Sequence, residues 1–159
     1  MKQLITRAMF LAIPFLGSGT AVLATSGAAS AAPVPVITSV TFTGTVSNPT
    51  VTVMGHGFGH QPPTGYPNNN TSCGTYTNNG DAYGADFEFL DVTHVWSAGA
   101  GIPPLTECIG IVITKWKPNE VVFGFGSAYN SFDSWFAAQG DTFTLSIKGS
   151  AFTGTVTYA

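Results

Sequence analysis

The chain carries little charge of either sign, one arginine and two cysteines. Only 8% of its 159 residues are charged, and the single arginine is Arg7. Beyond residue 31, the three lysines Lys115, Lys117 and Lys148 stand against eight carboxylates, a formal charge of −5. Such a surface repels phosphate backbones and anionic headgroups, so neither nucleic acid nor an anionic membrane is an expected partner. Long apolar runs are also scarce. The clearest, Ala8 to Leu16, is short and interrupted by Pro14, which argues against stable membrane insertion. Helical periodicity is nearly missing, which excludes a helical bundle. No Gly-x-Ser-x-Gly elbow occurs beyond residue 31, which removes one common frame for a nucleophilic serine.

The N-terminus reads as an export signal. Lys2 and Arg7 precede the apolar stretch, and Ala29 and Ala31 supply the small residues a signal peptidase reads. The expected organisation is a signal peptide at 1–31, cleaved after Ala31, and one secreted, extracellular domain at 32–159. In an exported chain, Cys73 and Cys108 are expected to form one disulfide. In the chain-entropy account, such a bridge stabilises the fold by about 3–4 kcal/mol.

The dominant period is two. "VPVITSVTF" at 34–42 alternates, with Val34, Val36, Val40 and Phe42 on one face and Ile37, Ser39 and Thr41 on the other. The same alternation runs through "TVTV", "DFEFLD", "CIGIVIT", "EVVFGF", "TFTLSIK" and "AFTGTVTY". These are seven short strands, each with one face fit for burial. Turn residues separate them in "SNP", "KPNE", "QGD" and "KGS". The expected fold class is all-β, an antiparallel sandwich of the immunoglobulin type with a long inserted loop. A helix is expected only at "SFDSWFAAQG", residues 131–140, where Phe132, Trp135 and Phe136 fall at helical spacing. Two long loops break the strand rhythm, from Gly55 to about Ala82 and from Thr93 to Glu107. The disulfide would tie them into one surface.

"PVITSVTFTGTVSNPTVTVMGHGFG", within residues 33–59, resembles the opening of an IPT/TIG domain, with Gly55, Gly57, Phe58 and Gly59 in its glycine-rich turn. "VITKWKPNEVVFGF" and "QGDTFTLSIKG", within 111–149, resemble that family's later hairpin and final strand entry. The resemblance skips the middle, where His60 to Gly80 is an insertion. It implies an immunoglobulin-like sandwich used for binding, adhesion or spacing, and it implies no catalytic residues.

Three clusters are candidate sites. His56 and His60 sit four apart in "VTVMGHGFGH". That spacing aligns metal ligands only on a helix, and three glycines oppose one, so turn histidines are the expectation. A metal would need His94 or Asp81 to converge on them. "NNNTSCGTYTNNGDAYGAD" is rich in side-chain oxygen, and Asp81 and Asp86 make calcium the one ion it suggests; no other cofactor is expected. Asp86, Glu88 and Asp91 lie along one strand, where Asp86 and Glu88 share a face as a carboxylate pair and Asp91 points the other way; a solvated outer face is the expectation. Aromatic residues in loops carry the binding reading. Trp96, Tyr66 and Tyr76, with Asp81, combine rings and hydrogen-bonding groups as a sugar-binding face requires. The sequence therefore points to a non-enzymatic module binding an extracellular glycan or protein. A ligand-free spacer and a secreted hydrolase are the alternatives.

Overall fold

The structure, a computed structural model, describes residues 34–64, 80–100, 109–131 and 135–159. Eight strands run in chain order: β1 (Val36–Thr45), β2 (Asn48–His56), β3 (Phe87–Asp91), β4 (Trp96–Ala98), β5 (Ile111–Lys117), β6 (Glu120–Phe125), β7 (Thr142–Ile147) and β8 (Ser150–Thr155). They form two four-stranded antiparallel sheets, ordered β1-β2-β6-β5 and β4-β3-β7-β8. In immunoglobulin lettering these are A-B-E-D and C′-C-F-G, the constant-type sandwich with one added edge strand. The expected sandwich is present with eight strands instead of seven. No helix among the described residues is long and apolar enough to cross a membrane.

Alternation decides which residues meet between the sheets. Val51, Val53, Val121 and Phe123 project from one sheet, and Phe87, Phe89, Phe143, Leu145 and Ile147 from the other, all fully buried. Their rings lock edge to face. Phe87 lies 5.0 Å from Phe123, and Phe89 lies 5.1 Å from Phe125, centre to centre. Each such side chain contributes about 1.5–3 kcal/mol by leaving water. The C-terminus closes one edge, where Tyr158 bridges Phe42 in parallel and the Ala159 N–H donates to the Phe42 carbonyl.

Strict alternation fails in two strands, for one reason. The β1–β2 register shifts between Ile37 and Ser39, and the β5–β6 register shifts between Ile113 and Lys115. An extra residue changes the parity of everything after it. Ile37 and Phe42, expected on opposite faces, are therefore both buried, while Val34 and Val36 are exposed. In β5 the bulge turns Trp116 toward the core beyond the inward Ile111.

The helix expected at 131–140 is absent from its described residues, and 132–134, with Phe132, lie outside them. Residues 135–140 form bends and a turn. Two of their backbone donors are taken by side chains, and Gly140 N–H donates to the Val156 carbonyl. Ala137 N–H donates to the Tyr129 hydroxyl at 2.9 Å, and Ala138 N–H to the Asp141 carboxylate at 2.7 Å. Among the described residues the helical content is one 3-10 turn, Gly84–Asp86.

Candidate functional site

The glycine-rich turn after β2 is a fastening. A side chain at Gly55 would place its Cβ 2.0 Å from the Val36 carbonyl oxygen, so only glycine fits there. Gly57 and Gly59 adopt φ of 79° and 60°, which aims Phe58 back into the core. Lys148 holds the turn from across the sandwich, its Nζ donating to the Phe58 and His60 carbonyls. Trp116 Nε1 donates to the Gly59 carbonyl at 3.0 Å. His56 and His60 are left exposed.

Of the four predicted binding residues, Trp96 and Asp81 fall within the described residues. Trp96 is not displayed in a loop. It opens β4, is 4% exposed, and packs 5.4 Å from Phe89, 5.6 Å from Phe125 and 5.7 Å from Tyr129. An indole enclosed by three rings cannot stack on a sugar. Tyr66, Tyr76, Cys73 and Cys108 lie outside the described residues. Asp81 forms a β-bridge with Ile111 and accepts a 3.4 Å hydrogen bond from the Tyr83 hydroxyl. Burial, with the Asp81 charge beside it, raises the Tyr83 pKa. Asp86 is exposed in the 3-10 turn, where its carbonyl accepts the Lys148 N–H. Among the described residues no group of three metal-binding side chains contains Asp81 or Asp86. The flanks of the two long loops do adjoin, since Tyr83 N–H donates to Gly99 and Gly99 N–H to Ile109.

One of the three carboxylates read as surface groups is inside. Asp91 ends β3 and is fully buried, against the expected solvated face. Its Oδ1 accepts the His94 backbone N–H at 2.8 Å, closing the turn that leads to β4. Antiparallel pairing of β3 with β7 brings Asp141, the residue before β7, beside that turn. His94 Nδ1 then lies 3.8 Å from Asp91 Oδ1 and 3.3 Å from Asp141 Oδ2. Asp91, His94 and Asp141 are the one such three-residue group among the described residues. Burial raises the Asp91 pKa; the His94 backbone N–H opposes the shift and the Asp141 charge adds to it. The imidazole is 40% exposed, so the cluster is open on one side. Next to it, Val95 is held at φ 57°, a strained backbone for a β-branched residue. Among the described residues two buried side-chain polar atoms lack partners, Asp91 Oδ2 and Trp96 Nε1, on residues directly opposite in the β3–β4 register.

The sequence reading missed this cluster because "QGD" at 139–141 read only as a turn. The available signal was an aspartate at each of two strand boundaries and a histidine three residues after the first.

A second feature lies on the outer face of the first sheet. Gly124 occupies the middle of β6, opposite Val112 in β5, and leaves a hollow of about 530 Å³. Ser47, Asn48, Thr50, Thr114, Ser127 and Asn130 border it, and among the described residues no charged one does. Asn130 is fixed there by a 3.1 Å hydrogen bond from its Nδ2 to the Ser47 carbonyl. Tyr129 secures the same rim, its hydroxyl donating to Val46 at 2.7 Å. Gly124 was read only as part of an alternating strand, which does not reveal an outward gap. No family model, curated protein or solved structure matches the chain.

Proposed function

We propose that the chain is a secreted, non-enzymatic binding module whose ligand is a neutral, hydroxyl-rich chain such as a glycan. The observation that carries this reading is the hollow over Gly124. Its border of hydroxyls and amides without charge suits exchange of hydrogen bonds with sugar hydroxyls. Phe123, Phe125 and Tyr129 also line the hollow, and two of these rings, Phe123 and Tyr129, are buried. The N-terminal pattern supports secretion, and the IPT/TIG resemblance supports a binding role. The non-enzymatic reading is supported by His94, whose imidazole pairs with two carboxylates, Asp91 and Asp141, among the described residues.

The test is a glycan array and a panel of insoluble cell-wall polymers, probed with the chain and with Gly124→Val. A Cβ at Gly124 meets only the Pro49 carbonyl oxygen, at 3.4 Å, so the variant is expected to fold and to raise the floor of the hollow. The expected result is binding to a neutral glycan that falls at least about tenfold in the variant, a loss of about 1.4 kcal/mol. Equal binding by both proteins would move the site elsewhere. No binding to any polymer would leave the spacer reading, and turnover of a substrate in a parallel hydrolase screen would overturn the module.

A further inference from the structure

We propose that Asp91, His94 and Asp141 form a binding site for one divalent transition-metal ion of the zinc type. Three donor atoms, one imidazole nitrogen and two carboxylate oxygens, lie within 4.8 Å of one another. In a tetrahedral site with bonds of about 2.0–2.2 Å, donors stand about 3.3–3.6 Å apart. The distances of 3.3 and 3.8 Å from His94 Nδ1 to the two carboxylates are already near that spacing.

Charge and burial point the same way, independently of spacing. Asp91 has no exposed side-chain surface and Asp141 has 9%, yet His94 is the only ionic neighbour either has among the described residues. Two enclosed carboxylates therefore face one imidazole. The buried Asp91 Oδ2 has no hydrogen-bond partner at all. An unpaired oxygen of a buried carboxylate is costly, and a cation held by the Asp91 carboxylate offsets that cost. The ligand set selects the ion. Calcium and magnesium take oxygen donors, six or more for calcium, whereas an imidazole with two carboxylates suits zinc and its first-row neighbours. The exposed edge of His94 leaves the remaining coordination position to water or a ligand. Bound there, the ion would clamp the β3–β4 turn to the start of β7.

The experiment uses the full chain, stripped with chelator, then titrated with zinc chloride by calorimetry, with calcium and magnesium chloride in parallel. Thermal melting is followed at each zinc concentration. His94→Ala removes one ligand and leaves the His94 backbone N–H bond to Asp91 in place, so it keeps the turn. A double variant, His56→Ala with His60→Ala, controls for surface histidines. The expected result is one zinc per chain in wild type and in the double variant, with a melting temperature that climbs with zinc concentration. Affinity should drop at least about tenfold in His94→Ala, since the loss of mere supporting groups around metal sites already costs that much. Equal zinc affinity in His94→Ala would overturn the site, as would calcium or magnesium binding more tightly than zinc. Absence of zinc binding in wild type would also overturn it.

Discussion

Replacing Trp96 with alanine is expected to cost about 2–4 kcal/mol of stability. Truncating a buried tryptophan costs about 3–5 kcal/mol, from the lost transfer energy and from the cavity left behind. Trp96 meets that condition, being 4% exposed and enclosed by Phe89, Phe125 and Tyr129. One effect opposes the loss. The buried Nε1–H has no partner, a desolvation penalty of about 1–3 kcal/mol that alanine no longer carries. Trp96→Phe separates the two effects, because it keeps a ring and removes the donor; its expected cost is below about 1 kcal/mol. The assay is urea unfolding followed by far-ultraviolet circular dichroism. With a slope of about 2 kcal/mol/M, the alanine midpoint should fall by about 1–2 M with the slope unchanged. A Trp96→Ala midpoint equal to wild type would show that the indole is not part of the core. The placement of β4 would then be wrong.

Three further outcomes follow from particular contacts. Val95→Asn should stabilise the fold by about 1–2 kcal/mol, because asparagine tolerates the φ of 57° that strains valine; melting temperature checks it. Lys148→Met removes the charged donor to Phe58 and His60, a loss of about 1–3 kcal/mol, and faster exchange of the Phe58 amide would locate the damage in the turn. Burial raises the Glu88 pKa, so the folded state binds more protons than the unfolded state between the ordinary carboxylate range and the raised value. Stability should therefore fall as pH rises through that window, and Glu88→Gln should flatten the change, read as melting temperature from about pH 4 to pH 6.

The sandwich was legible because burial in a two-sheet fold imposes a period of two. "EVVFGF" and "TFTLSIK" turn the expected side chains inward. The bulges near Thr38 and Thr114 were not legible, since an extra residue leaves no compositional mark and shows only in the pairing. Trp96–Ala98 is too short to show alternation, and its glycine- and alanine-rich surroundings read as loop. The false helix at 131–140 came from aromatic spacing alone, while the deciding donors and acceptors come from Tyr129 and Asp141. The Asp91–His94–Asp141 cluster depends on β3 pairing with β7, a contact between distant segments that no local pattern encodes. The hollow at Gly124 depends equally on the neighbouring strands, which set what surrounds a missing side chain.

The binding reading centres on that hollow, and an amide-resolved titration tests it most directly. Nitrogen-15-labelled protein would be titrated with cellotetraose, maltotetraose and tetra-N-acetylchitotetraose, three neutral oligosaccharides of similar length. At least one should shift the amides of Thr50, Val112, Gly124 and Asn130 in a saturable manner, and Gly124→Val should abolish those shifts. Shifts confined to residues 57–64 and 80–86, or none in the presence of any of the three sugars, would contradict a glycan site over Gly124.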